Sequence, residues 1–281
     1  MPAPLLGRHV VLTGASSGIG LETARGLARL GASVALVARD RARGEAALAA
    51  ARQASAGGTP SLFLADLGTL AQVRRLAGEL AAALPRIDVL LNNAGAMHAT
   101  RKESADGLEL TFAVNHLAPF LLTSLLLPRL RASAPSRVVT VASEAHRLGP
   151  LDLDDLQARR GYGAMKVYGR SKLANVLFAN ELARREAGTG VTSNSLHPGV
   201  VATGFGRNDP GWFRVLVTIG KPFLATPEKG ARTSIHVAAA PELAGVTGRY
   251  FKDRREVPPA AFARDEAVQR RLWELSERLV A

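Results

Sequence analysis

Short apolar, β-branched runs alternate with longer amphipathic stretches along the whole chain. The runs predict strands at His9–Thr13, Ser33–Val37, Ser61–Leu64, Val89–Leu91, Arg137–Ala142, Thr192–Leu196 and Gly248–Phe251. Between them, 3.6-residue periodicity predicts helices near Leu21–Leu30, Arg41–Ala54, Leu70–Leu84, Gly107–Arg131, Lys166–Arg185 and Pro227–Ala240, with a last helix near Asp265–Leu279. This alternation predicts an α/β fold: a single Rossmann-type doubly wound parallel sheet of about seven strands, with helices on both faces. No linker-like break or internal repeat interrupts it, so the 281 residues read as one domain. Two segments depart from the rhythm: the polar connection Glu144 to Met165, and Gly204 to Thr226, rich in Gly, Pro and large apolar residues. Both should leave the carboxyl ends of strands, where an open parallel sheet binds its ligand, and the second reads as a mobile lid.

Composition narrows the chemistry. There is no cysteine, which removes disulfides, thiolate metal sites and cysteine nucleophiles. The six histidines form no H-x-x-x-H pair, so no metal site is expected. The formal net charge is +12, but 30 of the 36 basic residues are arginines scattered as singles and pairs. That pattern describes a solvated Arg-rich surface, and no nucleic-acid partner is expected. No run approaches the ~20 apolar residues of a membrane span, and Met1 to Gly7 lacks the pattern of a signal peptide. A cytoplasmic location is the resulting expectation.

The first strand runs directly into Thr13-Gly14-Ala15-Ser16-Ser17-Gly18-Ile19-Gly20 and then a helix. Glycines there allow a tight turn, close approach of backbone to a pyrophosphate, and close packing of helix on sheet. The helix start supplies N–H groups and a dipole that favour the phosphates. The second strand ends at Val37-Ala38-Arg39-Asp40. Arg39, aligned with the discriminating position, would pair with the 2′-phosphate of NADP(H), with Arg41 and Arg43 adding positive field. A one-residue shift would instead make Asp40 a selector for NAD(H), which stays the alternative.

With these residues stand Asp66 after the third strand, Asn92-Asn93-Ala94-Gly95 after the fourth, Asn115 in a helix, Ser143 after the fifth strand, Tyr168-Gly-Arg-Ser-Lys172, and Pro198-Gly199 with Val201 and Thr203. In this order the chain resembles the short-chain dehydrogenase/reductase family, by motif over residues 8 to 203. The resemblance implies a phosphate site at Gly14, Ser16, Ser17, Gly18, Ile19 and Gly20, and adenine contact at Asp66 and Leu67. It implies a sheet-stabilising turn at Asn93, Ala94 and Gly95, and a nicotinamide loop at Pro198, Gly199, Val201 and Thr203. It implies a catalytic set of Asn115, Ser143, Tyr168 and Lys172, the last two also touching cofactor. Tyr168 would be the acid/base, its phenol brought down from ~10 toward neutrality by the Lys172 charge one helical turn on. Ser143 would hold the substrate oxygen, and Asn115 would anchor a water leading to Lys172.

The Tyr-x-x-x-Lys spacing occurs twice, as Tyr162–Lys166 and Tyr168–Lys172. Tyr168 is preferred because Ser171-Lys172 opens an amphipathic helix, whereas Tyr162 sits between Gly161 and Gly163. Val114-Asn115-His116-Leu117, Ala145-His146, Leu196-His197-Pro198-Gly199 and Gly248-Arg249-Tyr250-Phe251 resemble the retinol dehydrogenase-like branch. That likeness implies a small hydrophobic carbonyl or alcohol as substrate, and the family's habit of pairing through helices around Leu117–Arg131 and Lys172–Arg185 implies a homo-oligomer. His98, His146 and His197 read as loop-shaping. The competing function is a catalytically silent NADP-sensing regulator on the same fold.

Overall fold

Strand alternation sorts the core into two layers. In the computed structural model, which describes residues 3–199 and 226–281, β1 (His9–Thr13) directs Val10 and Leu12 to one apolar cluster and Val11 to the other. In β2 (Ser33–Ala38), Val34 and Leu36 likewise oppose Ala35 and Val37. This two-faced burial is what a parallel sheet covered on both sides requires. The remaining strands are β3 (Ser61–Leu64), β4 (Val89–Asn92), β5 (Ser136–Val141), β6 (Val191–His197), β7 (Tyr250–Lys252) and β8 (Arg255–Glu256). Their order is β3-β2-β1-β4-β5-β6-β7-β8, parallel throughout except for β8 on β7. The sheet thus has eight strands among the described residues, one more than the pattern predicts. The extra strand is two exposed residues, too short to show a period.

On one face lie α1 (Gly18–Arg29), α2 (Arg41–Ala54) and a helix over Pro227–Ala239. On the other lie α3 (Leu70–Ala83), α4 (Leu110–Ala132) and α5 (Ala164–Arg185). In chain order the Pro227–Ala239 helix is α6, and the C-terminal helix Glu266–Leu279 is α7. Only α4, among the described residues, has the length and apolarity to cross a membrane. Phe120, Leu121, Leu122, Leu126 and Leu130 bury that apolarity against the sheet and its neighbours.

Helix α7 lies across both α4 and α5. Trp273 stacks on Phe178 at 5.8 Å and meets Phe120 edge-on at 4.9 Å, and the Arg185 guanidinium sits 4.3 Å from its ring centroid. His116 bonds the Ser276 hydroxyl at 2.8 Å, and burial pushes this imidazole down to about 3, so it stays neutral.

The topology reverses between β2-β1 and β4, so connections leave to opposite sides and open a crevice at the strands' carboxyl ends. The expected lid over Gly204 to Thr226 lies, up to residue 225, outside the described residues, as do Val201 and Thr203.

Candidate active site

Six strand ends converge on one cleft of about 690 Å³. Gly14 follows β1, Arg39 follows β2, Ala65 to Leu67 follow β3, Asn93 to Ala96 follow β4, Ala142 and Ser143 follow β5, and Pro198 and Gly199 follow β6; all line it.

At one end the chain folds tightly around its own backbone. Gly14 has φ +67° and a Cβ there would lie 2.8 Å from the Ala94 Cα. A Cβ on Gly20 would lie 2.1 Å from the Gly14 carbonyl oxygen and 2.7 Å from Asn93 Nδ2. The turn is held from the β4 side. The Asn93 and Ala94 amides each donate to the Thr13 hydroxyl at 3.0 Å, and Asn93 Nδ2 donates to the Thr13 carbonyl at 2.8 Å. Ser16, Ser17, Gly18, Ile19 and Gly20 at the start of α1 face the cleft, no acidic side chain stands in the first turn, and the Ser17 side chain makes no cap bond. Such a helix start, with room for backbone to approach an anion, fits a dinucleotide pyrophosphate.

Beyond β2, Asp40 is the N-cap of α2 and its carboxylate accepts from the Arg43 amide at 2.9 Å. Arg39 and Arg43 line the same end of the cleft, and Arg39 is exposed. Asp66 accepts from the Gly68 amide at 2.9 Å, which turns the loop after β3 toward the cleft with Leu67.

At the other end stand Ser143, Tyr168 and Lys172. Helix α5 starts at Ala164 behind an extended Gly163, so Tyr168 and Lys172 fall on one face a turn apart. The Tyr168 hydroxyl is hydrogen-bonded to Ser143. Lys172 Nζ lies 5.7 Å from the Tyr168 ring centroid and donates to the Val141 carbonyl at 3.0 Å. Tyr162 lies before the helix, and its hydroxyl donates to the His98 carbonyl at 2.7 Å; it does not line the cleft.

Asn115 stands apart from the cleft wall. It sits in a π-helical turn, Ala113–Leu117, inside α4, and is fully buried. Its Oδ1 accepts from the Ala96 amide at 2.7 Å; its Nδ2 donates to the Ala96 carbonyl and the Ser171 hydroxyl, each at 2.9 Å. The wide turn aims the amide sideways, where it ties the loop after β4 to α5. A Cβ on Gly95 would lie 3.4 Å from Lys172 Nζ and 3.5 Å from Asn115 Oδ1, so glycine keeps the space between them narrow.

The electrostatics differ from the expectation of a lowered tyrosine. Burial pushes the Tyr168 phenol up to about 12, against the Ser143 hydrogen bond, and burial brings the Lys172 ammonium down to about 8. Desolvation acts on both charged forms, and at Tyr168 it outweighs the Ser143 hydrogen bond. Tyr168 therefore holds its proton at neutral pH.

Met97 and Leu110, which no motif singles out, also line the cleft, together with Val114 and with His98, read from sequence as loop-shaping. Spacing is the available signal: Met97 and His98 follow the Asn93-Ala94-Gly95 turn, and Leu110 and Val114 lie four residues apart, one helical turn.

Comparison with known proteins places this site in a family. The short chain dehydrogenase pattern matches residues 8–212, and the chain belongs to that family of dehydrogenases and reductases acting on CH–OH and C=O groups. Within it, the chain falls in the retinol dehydrogenase-like branch. It is 45% identical to retinol dehydrogenase 14 of Mus musculus over 99% of this chain and 87% of that protein. It is 43% identical to human retinol dehydrogenase 13 over 99% of this chain and 86% of that one. Among solved structures, an uncharacterized protein from Mycobacterium paratuberculosis superposes with TM-score 0.80 at 36% identity, covering 98% and 94% of the two chains. The NADP complex of RhlG from Pseudomonas aeruginosa matches with TM-score 0.69 at 31% identity, covering 94% and 99%.

Proposed function

We propose that the chain is an NADP(H)-dependent oxidoreductase of hydrophobic carbonyl compounds and alcohols, with Tyr168 as acid/base. The observation that carries this reading is the convergence of Ser143, Tyr168 and Lys172 at one end of a cleft whose other end is the Gly14–Gly20 turn.

NADPH, when bound, supplies the hydride. The chain's residues do the rest. Ser143 and Tyr168 hydroxyls hold the substrate oxygen, and Tyr168 donates the proton that this oxygen takes up as it becomes an alcohol. The phenolate left behind is stabilised by the Lys172 ammonium; in oxidation the same groups run the transfer backwards. Asn115 keeps the β4 loop and α5 in register, which sets Lys172 against Gly95. Names of relatives at more than 40% identity favour retinoid-like alcohols and aldehydes. If copies pair, α4 and α5 must do so with Trp273 of α7 already seated on both.

Two expectations test the charges. Asp40 is engaged as a helix cap, leaving Arg39, with Arg43 at the same end of the cleft, to meet a 2′-phosphate. Arg39→Glu should shift the NADPH/NADH preference, measured as the ratio of kcat/KM values, by about 10- to 100-fold, the worth of one charge-assisted bond. An unchanged ratio contradicts the assignment. Lys172 is charged below about 8 and neutral above it, so the reductive rate should fall as pH rises through about 8. Lys172→Arg, charged at all accessible pH, should move that limb upward; a parental profile flat to pH ~10 contradicts this role for Lys172.

A further inference from the structure

We propose that His146 and His197 are positioning residues that grip the peptide unit between Ser143 and Glu144 from both ends and so fix the Ser143 hydroxyl in the cleft; this rests on the reading of Ser143 given above. Ser143 is extended, with φ −164° and ψ 157°, at the junction of β5 and a short 3-10 turn. Its carbonyl faces His146 Nδ1 at 2.7 Å. The amide of the same peptide unit, Glu144 N–H, donates to His197 Nδ1 at 3.4 Å. The plane that carries Ser143 is thus held at its oxygen by one imidazole, together with the His146 backbone amide at 3.0 Å, and at its nitrogen by another imidazole.

The partners dictate the tautomers. Ala260 N–H donates to His146 Nε2 at 3.0 Å, so that nitrogen carries no proton. Its Nδ1 then carries the proton and donates to the Ser143 carbonyl. His197 must present a bare Nδ1 to Glu144 N–H and carries its proton on Nε2. The two rings therefore have opposite tautomers, and neither works as an imidazolium. Burial holds both below the ordinary imidazole range. Around them stand Glu144 and Arg147 on the same turn, and Tyr250, Lys252 and Asp253 from β7 and its turn. Glu144 is itself anchored, accepting from the Tyr250 hydroxyl at 3.0 Å and Lys252 Nζ at 3.2 Å. His146 is fully buried, 4.9 Å from the Tyr250 ring, and lines no part of the cleft. It reaches the chemistry only through Ser143.

Three substitutions separate positioning from packing. In His146→Asn, the amide nitrogen replaces Nδ1–H toward the Ser143 carbonyl, while the bond from Ala260 is lost. In His146→Gln, the longer amide keeps an acceptor for Ala260 and loses the Ser143 carbonyl. His146→Phe keeps ring volume and loses both. With NADPH and all-trans-retinal, Asn should stay within about threefold of the parental kcat although it melts lower; Gln and Phe should lose about tenfold or more, with KM for NADPH unchanged. Ser143→Ala is the reference: if it keeps parental turnover, the reading of Ser143 fails. If it loses turnover while Gln and Phe keep theirs, or if all three His146 variants fall in step with melting temperature, the positioning role fails and the serine reading stands. Independently of turnover, long-range 1H–15N spectra of the histidine rings in the NADPH-loaded protein should show His146 protonated at Nδ1 and His197 at Nε2. An Nε2–H tautomer for His146 overturns the proposal.

Discussion

Tyr168→Phe should lower turnover by about 10³-fold while leaving NADPH affinity within a few-fold, because general acid–base catalysis of this kind contributes ~10²–10⁴. The loss is large because neither polar side chain beside Tyr168 can take over. Ser143 bonds the same hydroxyl, but a serine is a far weaker acid than a phenol, and Lys172 Nζ is directed to the Val141 carbonyl. Burial keeps the tyrosine protonated, at about 12, and also makes it a weaker acid. What the site must then supply is stabilisation of the phenolate as the proton leaves, and the Lys172 ammonium 5.7 Å from the ring is placed for that. Tyr162→Phe is the matched control. Its hydroxyl serves the His98 carbonyl, so this change should alter kcat by no more than a few-fold. Equal losses from both substitutions, or loss only at Tyr162, would show that the acid has been misplaced.

Gly20→Ala should cost about 3 kcal/mol of stability or more and lower the melting temperature by roughly 10 °C, with NADPH binding falling alongside. The new methyl would lie 2.1 Å from the Gly14 carbonyl oxygen, which is backbone and has no rotamer through which to escape. Relief requires α1 to move off the sheet, and that motion opens the turn that would cradle the phosphates. Gly78→Ala in α3 is the contrast, since no neighbour lies within 4 Å and its backbone is helical. That change should stabilise by about 0.5–1 kcal/mol through helix propensity. A thermal melt of both variants, with and without NADPH, distinguishes the two kinds of glycine. A Gly20→Ala protein that melts and binds like the parent would mean that the turn is looser than the structure shows.

The parts of the fold that were legible are those written in side-chain periodicity. β1 and β2 are legible within a residue from their valine-rich runs, and β3, Ser-Leu-Phe-Leu, as a short apolar run between Gly57-Gly58-Thr59-Pro60 and Asp66. The start of α1 was set three residues late: Gly18 and Gly20 are poor helix formers, yet packing against the sheet overrides that preference. The π turn at Ala113–Leu117 left no trace, since it changes hydrogen-bond register and not the apolar pattern, and so the sideways aim of Asn115 was illegible. Tyr162 and Tyr168 could be weighed from the amphipathic pattern after Ser171-Lys172 and from Gly161 and Gly163, which argue for a loop before α5. The direction of the Tyr168 shift was not accessible from sequence: a motif names the nearby charge but not the burial that opposes it. His146 and His197 read as loop-shaping, but their shared peptide unit appears only once β6 lies beside β5.

The most direct test of the central claim is steady-state oxidation of NADPH by the purified protein with all-trans-retinal and a series of apolar aldehydes, run beside NADH and the Tyr168→Phe variant. Turnover should prefer NADPH, convert aldehyde to alcohol one for one, and disappear in the variant. Tight NADPH binding with no aldehyde reduced would contradict that claim and would make the chain a cofactor-sensing protein on a dehydrogenase fold.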